Sequence, residues 1–140
     1  MGQQQLLLLV LGIIIVGVAI IAGMYAWEDQ SAKVIADNLV NRNLEIANSA
    51  VFWKTKLDPF NGGNASYAGL AEDGMEKLSM NVETNYGTFA ITAATASTVE
   101  ITGVSKRDPN IGARTFVSGH AINQTDVSFT GGITLDGEED

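Results

Sequence analysis

The side chains that do most protein chemistry are scarce in this chain. Cysteine is absent and histidine occurs once, which excludes disulfides, thiolate metal sites and multi-histidine centres. The one histidine, His120, has Ser118 and Asp126 near it in sequence, but no nucleophile elbow or known triad spacing surrounds them. A strand histidine between Gly119 and Ala121 reads as a surface or half-buried residue. No catalytic, metal or cofactor-binding residue is expected, and the chain is not expected to be an enzyme. The tail Asp136-Gly137-Glu138-Glu139-Asp140 reads as a solvated acidic end rather than a calcium site. Asn64-Ala65-Ser66 and Asn123-Gln124-Thr125 match the glycan-acceptor pattern, which is common by chance, so Asn64 and Asn123 are candidate modification sites.

Charge narrows the partners. The 140 residues, about one domain's worth, carry 8 Lys+Arg against 16 Asp+Glu, a formal net charge of -8. Such an acidic chain has no general affinity for phosphate backbones, so no nucleic-acid binding is expected of its acidic part. The hydrophobic content, 46%, is ordinary, but its placement is not: residues 1–27 carry no charged side chain.

From Leu6 to Trp27 the chain reads LLLLVLGIIIVGVAIIAGMYAW. As a helix this run is roughly 33 Å long, enough for a hydrocarbon core of about 30 Å. Tyr25 and Trp27 stand at its far end, where amphipathic rings favour the membrane interface. A cleavable secretory signal fits less well, because Gln3, Gln4 and Gln5 occupy the place of its basic residues and the run is long for one. The acidic part is placed outside the cytoplasm.

Residues 28–56 hold no Pro or Gly, and helical spacing gathers their apolar residues into two adjoining stripes. One is Ala36, Val40, Leu44, Ala47 and Val51; the other is Ile35, Leu39, Ile46, Ala50 and Trp53. Asp58-Pro59 closes the helix. One helix of about 50 residues results, near 75 Å long, of which a head of residues 57–140 covers only the distal half.

The head changes to a period of two. Leu78, Met80 and Val82; Phe89, Ile91 and Ala93; Val99 and Ile101; Phe116, Ser118, His120 and Ile122; and Val127 and Phe129 each share a face. They predict four or five short antiparallel strands, with one apolar face and one Thr-rich, wet face. Lys106–Asn110 and Asn123–Asp126 read as turns, and Ala71–Leu78 as a short helix. The fold class is α+β. Three regions follow: residues 1–27 as membrane or filament-core helix, 28–56 as its amphipathic half, and 57–140 as a β head with an acidic tail. Val40, Leu44, Ala47 and Val51 are expected to pack on the sheet through Phe89, Ile91, Val99, Ile101 and Phe116.

This plan resembles type IV pilins and pseudopilins. The features that carry it are the short polar start MGQQQ, the charge-free run Leu6–Trp27, the amphipathic extension to Lys56, the turn-rich connection and the antiparallel sheet. The resemblance implies a leader cut before the first mature residue, often N-methylated, which is Met1 if the numbering begins at such a cut. It also implies a glutamate where this chain has Gln5, which pairs with a neighbouring N-terminal amine. Gln5 accepts a hydrogen bond but neutralises no charge. No proline stands near Ala22, where many pilins bend. Archaeal pilins and flagellins, with a β-sandwich head, are a variant of the plan.

The function that the resemblance implies is the structural subunit of an extracellular filament. It would wait in the cytoplasmic membrane, be handled by pilus assembly machinery, and polymerise with identical copies. Ala19 and Gly23 form a small-xxx-small pair, with Gly12 and Gly17 nearby, and such residues let helices approach closely. The competing readings are a single-pass anchored binding module and a minor pseudopilin of a secretion system. The aromatics Tyr25, Trp27, Phe52 and Trp53 are explained by interface anchoring and packing, without electron transport.

With no carboxylate before Glu28, an N-terminal amine in an apolar bundle is met by neutral acceptors, stays near water or is held neutral by its surroundings, since an unpartnered buried charge is costly. Gln5→Glu is therefore expected to leave filament yield intact or raise it. Gln5→Leu is expected to lower it; unchanged yield would remove Gln5 from the assembly step.

Overall fold

The structure, a computed structural model, describes residues 2–57 and 62–135. Met1, the Asp58-Pro59 helix stop and the acidic tail lie outside the described residues. Helix α1 runs unbroken over Gly2–Thr55, 54 residues. The three glycines between Gly12 and Gly23 do not interrupt it. Each costs about 1 kcal/mol against Ala, spread over a helix with no proline. The chain divides into two compact units, Met1–Lys33 and Val34–Asp140, and α1 contributes to both.

In the first unit no large apolar side chain from Leu6 to Trp27 is covered. Their exposure runs from 46% at Val10 to 71% at Trp27.

The second unit is an α+β head. After α1 come a 3-10 turn at Ala68–Leu70 and a short α2, Gly74–Lys77. Four strands follow: β1 Gly87–Ala94, β2 Thr98–Ser105, β3 Gly112–Ser118 and β4 Ala121–Ser128. They form one antiparallel meander in the order β1-β2-β3-β4. The β2–β3 connection contains the predicted turn at 106–110; there the Ser105 hydroxyl oxygen accepts the N–H groups of Arg107 and Asp108 at 3.1 and 3.3 Å.

Three local expectations are corrected. Phe116, Ser118, His120 and Ile122 do not share one strand: β3 pairs Ser118 with Ala121, so the chain turns at Gly119-His120. Gly119 has φ +66, a conformation that glycine adopts at least cost. Asn123–Asp126 is strand, not turn, and Phe129 lies beyond the end of β4. Leu78–Val82 is irregular, held to β1 by the Phe89 N–H bond to the Val82 carbonyl, 2.7 Å, and by a single bridge between Glu83 and Thr88.

The helix rests on the face that carries Phe89, Val99, Ile101, Ala113, Thr115 and Val117, all buried. It does so chiefly through the second stripe: Leu39, Ile46, Ala50 and Trp53 are buried, joined by the buried Ala36 and Ala47 of the first. Val40, Leu44 and Val51 are only half-buried, a correction to the expected contact. The stripes share one period, so the choice between them is made by Asn43 and Gly103. Asn43 is fully buried, and its amide donates to the Ala113 carbonyl at 3.0 Å. A Cβ on Gly103 would lie 2.6 Å from the Phe89 ring and 3.0 Å from Asn43 Oδ1. The bare glycine thus receives both groups and turns Leu39 and Ile46 inward with Asn43.

Ile91 is half-buried against Gly74, where Leu70 also lies. Phe116 is a second correction. It pairs with Glu100 and Gln124, one residue out of step with the buried Thr115 and Val117, and so stands on the opposite face, half-exposed.

Leu39→Ala and Phe89→Ala are expected to cost about 2–5 kcal/mol each through cavity formation. Leu44→Ala and Phe116→Ala, at half-exposed positions, are expected to cost about 1 kcal/mol. Denaturant unfolding of the detergent-solubilised chain checks the ranking; equal losses for Leu39→Ala and Leu44→Ala, or for Phe89→Ala and Phe116→Ala, would overturn the assignment of faces.

Candidate functional site

Among the described residues the most extensive unpartnered feature is the apolar half of α1. It is long and apolar enough to cross a membrane. Its glycines are not demanded by contacts within the chain: a Cβ on Gly12, Gly17 or Gly23 meets nothing within 4 Å. Ala19 is exposed beside them, and Gln5 is exposed near the start. Tyr25 and Trp27, 67% and 71% exposed, precede Glu28 and Asp29, so rings and charges succeed one another where an apolar phase gives way to water.

The head offers a polar cluster on the sheet face away from α1. Arg114 Nε lies 3.0 Å from Glu100 Oε1, with both side chains largely covered. The Thr92 hydroxyl donates to the same Glu100 oxygen at 2.8 Å and lies 3.0 Å from the Thr102 hydroxyl. This face is not uniformly wet, as Thr102 and Arg114 are both buried. Beyond β4 the chain turns back, with the Gly131 N–H bonded to the Asn110 carbonyl at 2.9 Å, and seats Ile133 against Gly112. Beside the cluster an open cleft of about 480 Å³ is lined by Glu100, Phe116, Gln124 and their neighbours. A charge pair held by hydroxyls under partial cover stiffens the sheet, and its carboxylate is already engaged by Arg114 and Thr92.

A second polar group fastens the end of α1. The Tyr67 hydroxyl donates to the Gly119 carbonyl at 2.5 Å, and Lys54 Nζ donates to the same oxygen at 3.3 Å. The Lys54 ammonium stands 4.6 Å from the centre of the Tyr67 ring, within cation–π range. The Tyr67 N–H bonds the Ala96 carbonyl at 3.3 Å, and the Gly119 N–H bonds the Ser97 carbonyl at 2.8 Å. The helix end, the β1–β2 turn and the β3–β4 turn therefore meet at one point.

The remaining sequence candidates lie apart. His120 and Ser118 are exposed around the hairpin tip. Asp126 is five strand positions beyond Ala121, roughly 17 Å along β4, where both its carboxylate oxygens accept from Gln124 Nε2 at 2.7 and 2.8 Å. Strand spacing thus holds Asp126 away from His120. Among the described residues no three His, Asp or Glu side chains group as metal ligands. Asn64 is exposed in a turn with φ 49, and Asn123 is exposed in β4 where the register with β3 shifts. Sequence reasoning missed Asn43, Lys54 and Tyr67. The available signal was positional, since Asn43 and Lys54 fall on the same helical face as Leu39, Ile46 and Ala50.

Burial pushes the Tyr67 phenol pKa above its ordinary 10.0. As pH rises the unfolded chain loses this proton first. The stability contributed by Tyr67 is thus fully present below about pH 10 and falls as pH climbs through the folded-state value. Tyr67→Phe is expected to cost about 1 kcal/mol at neutral pH and to flatten the alkaline loss, as read from melting temperature against pH; an unaltered alkaline slope would show that Tyr67 does not set it.

No family model matches this sequence, and no curated protein or solved structure matches it.

Proposed function

We propose that this chain is the repeating structural subunit of an extracellular filament of the type IV pilus kind, held in the cytoplasmic membrane by its N-terminal half-helix until assembly. One observation carries the reading. The side chains from Leu6 to Trp27 are bare, on a helix that continues into a folded head. Apolar surface of that extent is unfavourable in water at about 25 cal/mol per Å², so lipid or other copies of the helix must surround it.

The glycines point towards helices rather than lipid alone. Gly12, Gly17 and Gly23 have open space at the Cβ position, so they serve no packing need among the described residues, while helix propensity alone would favour Ala. Close approach by another helix gives them a purpose. In a filament the same half-helices would exchange lipid contacts for contacts with one another. Gln5, exposed near the start of α1, is available as a neutral acceptor at such a contact.

Gly17→Leu separates the readings. It is expected to leave membrane insertion and the melting of the head unchanged, because it touches nothing within the chain. It is expected to abolish filaments in sheared cell-surface material examined by negative-stain microscopy, with the subunit identified by mass. Wild-type cells that make the protein in the membrane but no filaments would support a single-pass anchored module instead.

A further inference from the structure

The head has a second uncovered apolar region, on the flank of α1 towards β4. Four strands spaced about 4.8 Å apart make a sheet roughly 19 Å wide, and one helix is about 10 Å across. Leu39 reaches Gly87 of β1, and Asn43 lies over Gly103 of β2 and bonds Ala113 of β3. On the β1 side, Asn38, Arg42 and Glu45 share a cleft with Thr84 and Tyr86. At 100° per residue Val40, Leu44 and Val51 occupy the opposite flank, and β4 is the strand at the opposite end of the sheet. The half-buried Val40, Leu44 and Val51 therefore look towards β4. On that strand Ile122 and Val127, paired with the buried Val117 and Ala113, point to the same side of the sheet and are each 39% exposed; Phe129 follows at 49%.

We propose that this channel between α1 and β4 receives the charge-free half-helix, Leu6–Trp27, of a second copy of the chain. The inference rests on the filament reading and names the surface that the half-helix meets. Three physical points select the occupant. The six side chains are apolar, and the charges nearest them on the same helical flank, Lys33 and Asp37, are of opposite sign, so a partner of a single sign gains little there. The uncovered width suits one further helix beside α1. The bare helix that matches it in length and chemistry among the described residues is Leu6–Trp27.

The contact area fixes the setting. β4, 8 residues long, extends about 26 Å, and a helix laid along it with a contact width of about 10 Å covers roughly 260 Å² a side. A stable pair needs about 800 Å² per partner, so this seat holds its occupant only where several such contacts repeat. Donor helix and acceptor channel are different surfaces of the chain, which makes the contact heterologous, the type that propagates into an open polymer.

The test is photocrosslinking in assembled filaments. p-Benzoylphenylalanine replaces Val127 in one strain and the outward Phe116 in another; irradiated filaments are resolved by mass and the adducts mapped. The expected result is a dimer adduct from position 127 to residues 6–27 of another copy, with none from position 116. A companion variant, Val127→Asp, is expected to cut filament yield roughly tenfold or more by setting a charge against an apolar helix, with the melting of the head unchanged. Normal filaments whose position-127 adducts fall on another head, on lipid or within one chain would overturn this seat and leave the filament reading intact. Absence of filaments from wild-type cells would overturn both.

Discussion

A four-stranded sheet is wider than one helix, and the arrangement of the head follows from that mismatch. α1 is laid over β1, β2 and β3, where Leu39, Asn43 and Ile46 enter the core. The remainder of the buried face needs other cover. Near Ile91 it comes from Leu70 and Gly74. Trp53 fills the space below, its indole against Gly63 and Gly69. Beside β4 no segment among the described residues completes the layer, and Ile122 and Val127 stay partly open.

Polar groups decide the alignment inside that layer. Apolar burial is non-directional, so a helix with two adjoining stripes slides or rolls at little cost. Asn43 removes that freedom. Its buried amide must find a partner, and the Ala113 carbonyl takes it. Among the described residues its Oδ1 has no hydrogen-bond partner, and it lies over Gly103. The bond fixes the roll of the helix, and the unmatched oxygen carries part of the cost. At the other end Lys54 and Tyr67 share the Gly119 carbonyl, which ties the last turn of α1 to two strand connections.

The half-helix before Trp27 obeys a different solvent. In the head, half-buried apolar side chains are ordinary, because a folded protein exposes much apolar surface. Along Leu6–Trp27 the exposure is continuous and uninterrupted by charge. A helix satisfies its own backbone hydrogen bonds, so it tolerates a phase without water. Small residues with free space around them then turn a lipid-compatible rod into one that another helix can approach closely. Storage in a bilayer and packing into a polymer place the same demands on such a segment.

Much of this was legible in the residues themselves. The absence of proline before Pro59 and the charge-free run foretold a long helix, and α1 spans Gly2–Thr55. Alternation marked Phe89, Val99 and Ile101 as strand residues with an inward face, because a pleated strand admits only two faces. Those signals are local, set by backbone sterics and a side-chain period. The non-local outcomes were not legible. Val40 and Leu44 carry the same periodic signature as Leu39 and Ile46, and the long-range bond from Asn43 to Ala113, received over Gly103, distinguishes the stripes. Phe116 alternates as well as Phe89 does, yet the pairing of β2 with β3 puts it on the other face. Asn123–Asp126 has turn-forming composition, but Gly119-His120 turns the chain first and leaves Asn123 as strand. Periodicity determines that a side chain has an inside; which inside it meets depends on register and roll, and these are set by partners distant in the chain.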